Sequence, residues 1–306
     1  MTKIFLKNLS KFQAEINNQL VLFFTEEIKK TKSLFLKDIL KTLKEFSLRP
    51  AKRIRAILVI YGYLLSGGKD KKNILKTAIF IELIHNFLLI HDDILDEEKM
   101  RRGKPALHHT FENEKYLKNK SEKEYYGISM AVVMGDMMEF LARRILSQSK
   151  FSGKNKIEAI KKLEQILIST AHGEIFEYWL RKTQEKGTVR EKDVFEIYKN
   201  KTAYYTFVGP LQMGALLAGA PTKMLLLLEK IGVPLGIAFQ IEDDIKDIDS
   251  DLKEGQPSLL VLKTIDECKE ISKNYIAMAK KEILATKLPK KEKQFLLDLA
   301  GYIGSK

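Results

Sequence analysis

The chain has 306 residues, 45% of them hydrophobic, which is enough for a large buried core. Its 53 basic and 40 acidic side chains leave a net charge of +13. That charge suits an anionic partner, but the lysines come in scattered pairs rather than as the stripe a nucleic-acid binder shows, so no nucleic acid is expected. The single cysteine, Cys268, excludes an internal disulfide and fits a cytoplasmic protein.

Apolar residues recur at spacings of three and four almost everywhere, which predicts an all-helical chain. Phe5, Leu9, Phe12, Ile16 and Leu20 mark a first long helix. Helices follow over 34–46, ended by Arg49-Pro50, and over 54–65, stopped by Gly67-Gly68. The helix over 74–96 ends in three aspartates, and Gly103-Lys-Pro105 then breaks the pattern before a short segment at 107–117. Further helices are expected over 125–147, 156–181, 191–198, 202–218 and 223–249, with two or three shorter ones closing the chain. The stretch 203–222 is uncharged and of membrane-spanning length, but Gly209, Pro210, Gly214 and Pro221 make a kinked core helix the better reading, with no transmembrane segment. No linker or fixed-period repeat is evident, so residues 1–306 are expected to form one large helical bundle around a ligand cavity.

The chemistry concentrates at His85 to Arg102. Asp92 and Asp96 fall on one helix face, a turn apart, where their charges repel. A cation between them removes the repulsion, and carboxylate oxygens are the ligands Mg2+ prefers. Arg101 and Arg102 follow with guanidinium groups suited to phosphate oxygens. His85 lies seven residues before Asp92, on nearly the same face. His91 reads as a packing or capping residue, and adjacent His108 and His109 diverge on a helix, so zinc is not expected. The spacing of Asp92, Asp93 and Asp96 is repeated by Asp243, Asp244 and Asp247, at the end of another apolar helix. One such triplet is commonly a solvated helix face, but two argue for a pair of acidic walls tolerable only with metal ions between them. Several Mg2+ ions bridging a diphosphate would neutralise it as a leaving group, and an apolar cavity would keep the resulting carbocation from water.

These residues, in this order, resemble the trans-isoprenyl diphosphate synthases of the polyprenyl synthetase family. Lys52-Arg53-Ile54-Arg55 resembles the family's Gly-Gly-Lys-Arg-x-Arg element, Glu82 to Asp96 its first aspartate-rich helix, and Arg101-Arg102-Gly103 the arginine pair after it. Gly135-Asp136, Lys201-Thr202 and Phe239-Gln240 through Asp247 resemble its later motifs. The resemblance implies a fold of isoprenoid-synthase type, a homodimer, and a Mg2+-dependent condensation of isopentenyl diphosphate with an allylic diphosphate. It implies that Asp92, Asp96 and Asp243 ligate Mg2+, supported by Asp93, Asp244 and Asp247. Arg101, Lys201, Thr202 and Gln240 would hold the allylic diphosphate, and Lys52, Arg55, His85 and Arg102 the isopentenyl diphosphate.

The sequence departs from the family at Pro50-Ala51, which replace two glycines, and at Gln256, where a lysine is expected after a shortened segment. Lys246 or Lys253 would compensate in part for the missing cation. Product length is assigned to Leu88, one turn from Asp92 by helical angle, and to Phe87 by the resemblance. Together they imply a short product, geranylgeranyl diphosphate slightly ahead of farnesyl diphosphate. A non-catalytic partner subunit of a heteromeric synthase is the alternative, and a class I terpene cyclase a more distant one.

Overall fold

The computed structural model describes residues 3–112, 117–183, 189–248 and 256–305. Asp249 and Lys253 lie outside them. In chain order the helices are α1 (Lys3–Lys30), α2 (Leu34–Leu48), α3 (Ile54–Leu65), α4 (Lys71–Leu95), α5 (Leu107–Thr110), α6 (Lys120–Ser147), α7 (Gly153–Thr183) and α8 (Glu191–Ile197). A π-helix (Tyr198–Val208), α9 (Gly209–Leu217), α10 (Thr222–Lys246), a 3-10 turn (Leu259–Val261), α11 (Ile265–Leu284) and α12 (Lys290–Ile303) follow. Between α4 and α5 lies the one sheet among the described residues, a hairpin of β1 (Met100–Arg101) and β2 (Lys104–Pro105). The fold is all-α, as the apolar periodicity predicts.

The chain forms two compact units. One comprises Leu9–Ile57 and Lys72–Lys150; the other comprises Met1–Asn8, Leu58–Lys71 and Phe151–Lys306. In the first, α4 is the central element. Thr77 to Ile84 are buried around its whole circumference, and Ile16, Leu20, Phe24, Leu43 and Phe46 are buried in the same unit. Polar ties fix the loops: Gln13 Nε2 donates to the Ala51 carbonyl (2.7 Å), and Asn86 Nδ2 to Ser47 Oγ (2.9 Å). The loop through Pro50-Ala51 is therefore held as well as stiffened.

In the second unit, α10 packs on α11 and on the π-helix. Gly236 permits that approach, because a Cβ there would overlap the Ala203 backbone. The sequence suggests two helices, 191–198 and 202–218, with a kink at Gly209-Pro210; the structure has one continuous helical run whose middle is a π-helix. Pro210 has no N–H for the carbonyl four residues back, and its ring crowds that carbonyl. Widening to i→i−5 bonding, as in Gly209 N–H to the Tyr204 carbonyl, relieves both. Pro234 is likewise carried inside α10 without ending it.

α4 and α10 are long and apolar enough to cross a membrane by length and composition, although 61% and 50% of their most apolar windows are buried. The uncharged stretch at 203–222 is also mostly buried, from Ala203 through Leu217 apart from Tyr204.

Candidate active site

In the first unit, α4 ends at the aspartates. Glu98 N–H bonds to the Asp93 carbonyl (2.9 Å) and Glu97 N–H to that of Ile94 (3.3 Å), with Glu97 left-handed at φ 56°. That is a Schellman ending, and it places Asp96 at the helix cap. Its N–H still bonds to the Asp92 carbonyl (2.9 Å), so Asp92 and Asp96 stay one turn apart, both partly exposed. Asp93 is fully buried. Arg101 holds it through Nε on Oδ1 (2.5 Å) and a second contact from Nη2, while Asp93 Oδ2 has no hydrogen-bond partner among the described residues. Burial raises the Asp93 pKa, and the Arg101 guanidinium opposes that rise. Arg101 also lies 3.9 Å from Asp92.

The tight hairpin separates the two arginines. Arg102 (φ 55°) and Gly103 (φ 78°) form a two-residue turn with both residues left-handed. Gly is at home there; Arg is strained, as residues at functional positions commonly are. Arg101 therefore faces the aspartates, whereas Arg102 joins a basic group with Arg53 and Arg55. Burial, then Arg53 and Arg55, push the Arg102 pKa down to about 10, and its buried Nη1 has no hydrogen-bond partner among the described residues. Arg55 Nη1 lies 3.2 Å from His85 Nε2. A guanidinium only donates, so Nε2 accepts and His85 is the neutral Nδ1–H tautomer. Burial, then Arg55 and Arg102, hold its pKa well below the usual range. Lys52 is exposed beside this group. Clustered cations with a buried orphan donor make a site for an anion.

Three residues that hold this site were not singled out from sequence. Arg53 and Glu82 form a buried pair (3.1 Å). Arg49 Nη1 donates to the carbonyls of Arg101 (3.1 Å) and Pro105 (3.0 Å), clamping the hairpin. His91 packs edge-on against Phe87, with ring centroids 4.8 Å apart, and its Nε2 donates to the Val132 carbonyl (3.2 Å). Gly135 makes room for the His91 ring, and Asp136 lies 3.7 Å from it. Leu88 is partly buried. His109 pairs with Glu112 (2.5 Å), and His108 is buried.

The second unit treats its triplet the same way. Asp243 is partly exposed, Asp247 is exposed and caps α10, and Asp244 is buried. Tyr198 Oη donates to Asp244 Oδ2, Gln240 Nε2 to Oδ1 (2.7 Å), and Thr202 Oγ1 to Gln240 Oε1 (2.5 Å). Tyr198 Oη also accepts the Leu259 N–H (3.0 Å). Burial, then Asp244, raise the Tyr198 pKa well above its usual value, so it remains a donor. Lys201 is held by Glu174 and Glu177, each at 2.9 Å on successive turns of α7. Gln256, in the amide orientation that satisfies both neighbours, donates to Glu177 (3.1 Å) and accepts from Arg181 Nη1 (2.9 Å). Lys246 is exposed, 3.8 Å from Asp247.

A cavity of about 180 Å3 opens among Lys201, Thr202, Gln240, Asp244, Gln256 and Ser258. The buried Ser258 Oγ has no partner among the described residues, so a polar occupant suits it. Replacing Tyr198 with phenylalanine removes a charge-assisted bond and strands the Leu259 N–H; we expect a stability loss of ~2 kcal/mol in urea denaturation. A midpoint unchanged at constant slope would show that water replaces the hydroxyl.

The polyprenyl synthetase family model matches residues 37–292. The chain belongs to the polyprenyl synthetase family. A geranylgeranyl diphosphate synthase of Sulfolobus acidocaldarius is 30% identical over 241 residues, covering 74% of this chain and 67% of that protein. One from Saccharolobus solfataricus is 29% identical over 292 residues, covering 87% and 82%. The structure of a geranylgeranyl pyrophosphate synthase from Corynebacterium glutamicum, complexed with isoprenyl diphosphate and magnesium, superimposes with a TM-score of 0.88. It covers 97% of this chain and 99% of its own at 22% identity, a likeness of fold. This polyprenyl synthetase is thus an all-helical prenyltransferase by family and fold.

Magnesium, which the family implies, is tested by the donors present. Among the described residues no group of three or more His, Cys, Asp or Glu is preassembled to hold a metal ion. For Mg2+ that is no obstacle, because it keeps much of its water and binds through one or two carboxylates plus substrate phosphates. Asp92, Asp96, Asp243 and Asp247 present such oxygens; Asp93 and Asp244 are buried and engaged by neighbours, which suits them to positioning.

Proposed function

We propose that the protein condenses isopentenyl diphosphate with an allylic diphosphate, with Mg2+ ions, to give a short trans-prenyl diphosphate in the cytoplasm. The observation that carries this reading is the shared division of the two triplets: a buried middle aspartate held by its own donors, and outer carboxylates left accessible.

Bound Mg2+ would neutralise the departing diphosphate. Asp92 and Asp96, with Asp243 and Asp247, are the residues that would hold it. Arg101 orients the first set through Asp93, and Tyr198 with Gln240 orients the second through Asp244. Arg55, Arg102 and Lys52 supply fixed cations for the isopentenyl diphosphate, which keeps its phosphates and so needs binding without activation for departure. Neutral His85 adds no positive charge there. Lys201 serves the allylic phosphates by exchanging one of its glutamates for them.

Product formation by the purified chain from isopentenyl diphosphate and each allylic starter, with and without EDTA, tests this reading. Mg2+-dependent condensation is expected. No product from any starter would favour the non-catalytic subunit, a reading supported by Gln256, whose uncharged amide lies between Glu177 and Arg181.

Geranylgeranyl diphosphate is the proposed main product, with Phe87 and Leu88 as the limit to chain growth. Phe87→Ala removes a bulky ring from the α4 face near His91, and we expect the product to lengthen by at least one isoprene unit on chromatography. Unchanged products from this variant and Leu88→Ala would place the limit elsewhere. A homodimer belongs to the same proposal. Tyr125, Val133 and Phe140 of α6 are exposed at helical spacing, as are Ile168, Ile175 and Trp179 of α7, stripes suited to a second copy. Val133→Glu with Phe140→Glu should halve the mass seen by light scattering; an unchanged mass would move the interface off α6.

A further inference from the structure

The connection from α1 to α2 reads Lys29-Lys-Thr-Lys-Ser-Leu-Phe-Leu-Lys37. Within its own unit, α2 buries Ile39, Leu40, Leu43 and Phe46. Its first turn does the opposite: Leu34 is 77%, Phe35 58% and Leu36 48% exposed. Three consecutive helical residues diverge by roughly 100° each, so they crown the helix end rather than form one stripe. The crown is held in place. Ser33 caps α2, its Oγ accepting the Leu36 N–H (3.3 Å), and Thr31 Oγ1 donates to the Glu27 carbonyl (2.9 Å) at the end of α1.

Charge surrounds this apolar tip with one sign. Lys29, Lys30, Lys32 and Lys37 flank it, with no acidic residue from 28 to 37. The nearest acids are already paired: Glu26 with Lys30 (2.7 Å), Glu27 with Arg144, and Asp38 with Lys41 (2.7 Å). Lys29, Lys32 and Lys37 make no ion pair among the described residues.

We propose that the α1–α2 tip docks on an anionic lipid bilayer, with Leu34, Phe35 and Leu36 entering the boundary between headgroups and acyl chains. The lysines would meet lipid phosphates, their long stems letting the ammonium groups rise to the headgroups beside the buried wedge. An apolar wedge alone would suit many partners; a wedge ringed by cations without counter-ions matches a surface that is both apolar within and negative at its face. Each lysine near such a surface contributes about fivefold in affinity. Three short-range insertions and three lysines make a reversible contact, unlike a membrane-spanning helix. This inference does not depend on the reaction catalysed.

The full chain, sedimented with vesicles of phosphatidylcholine with or without phosphatidylglycerol, tests it. Binding is expected only with phosphatidylglycerol, and should weaken as salt rises. The triple variant Leu34→Ser, Phe35→Ser, Leu36→Ser should lose at least about tenfold in binding. The triple variant Lys29→Gln, Lys32→Gln, Lys37→Gln should lose about a hundredfold. Both should keep native circular dichroism and native activity on soluble substrates. Equal vesicle binding by native and serine-variant protein, or binding indifferent to phosphatidylglycerol, overturns the proposal. So does a drop in mass of the serine variant by light scattering, which would mean that a second copy covers the tip.

Discussion

Asp92→Asn should lower turnover by about a thousandfold, raise the Mg2+ concentration needed for half-maximal rate, and leave the Michaelis constant for isopentenyl diphosphate within about threefold of native. The side chain keeps its shape and loses its charge, so folding is not at issue. The expectation rests on the division of labour within the triplet. Asp92 is accessible and lies one turn from Asp96 at the end of α4, whereas Asp93 is buried against Arg101. Asp93→Asn should therefore act through Arg101 and through stability. Its neutral amide replaces a charge-assisted bond, so a stability loss of about 1–3 kcal/mol is expected with a smaller fall in turnover. Asp243→Asn should resemble Asp92→Asn. If both carboxylates act on one departing diphosphate, the double variant will lose far less than the product of the single losses, as groups acting as a unit do. Full multiplicativity would mean separate roles, and an Asp92→Asn enzyme within threefold of native turnover would remove Asp92 from the site.

Much of this was legible in the sequence because it is local. The helix carrying the first triplet announces itself by apolar spacing, and the angle of 100° per residue joins Asp92 to Asp96. The burial of Asp93 and its partner Arg101 were not legible, because they depend on how the hairpin after α4 folds back. The resemblance separates Arg101 from Arg102, but the hairpin that does so physically was not legible, because two-residue strands carry no period and Arg-Gly is a weak signal beside Asn-Gly. The turn places Arg101 on Asp93 and Arg102 among Arg53 and Arg55. The π-helix was hidden for another reason. No residue within it marks a change of hydrogen-bond register, and only Pro210, just beyond its end, hints at one. Lys201 could be placed in a set by order alone, but its glutamates on α7 lie 24 and 27 residues earlier, beyond any local pattern. The same distance problem hid Glu82, which resembled one more polar residue on the way to His85.

Glu82→Ala should cost about 3–5 kcal/mol, as much as truncating a large core side chain. Both side chains of the Arg53–Glu82 pair are almost fully buried, at 1% and 2% exposure. Arg53 is over-determined: Nε donates to Asn17 Oδ1 (2.9 Å), Nη2 to the Ser47 carbonyl (2.6 Å) and to that of Arg49 (3.3 Å), and Nη1 to Glu82 (3.1 Å). Its backbone is left-handed, at φ 58°. Glu82 has a second task, since its Oε1 accepts the Ala56 N–H (3.2 Å) in the first turn of α3, where a helix terminus favours negative charge. Alanine would leave the guanidinium buried without its counter-ion and the Ala56 N–H without an acceptor. Glu82→Gln keeps the shape but only one of the two acceptors, so its NH2 faces either the Arg53 guanidinium or the Ala56 N–H, donor against donor, and a loss approaching that of alanine is expected. Arg53→Met with Glu82→Leu removes both charges and should recover part of the difference, less the cost of Asn17 Oδ1 and the Ser47 and Arg49 carbonyls that lose their donor and of the Ala56 N–H that loses its acceptor. Arg53 stands between Lys52 and Arg55, so the alanine variant should also raise the Michaelis constant for isopentenyl diphosphate more than it lowers turnover. Chemical denaturation of the three variants separates these contributions. A Glu82→Ala protein within about 1 kcal/mol of native would mean that Arg53 relaxes into water and that the pair stabilises the fold no more than one on the surface.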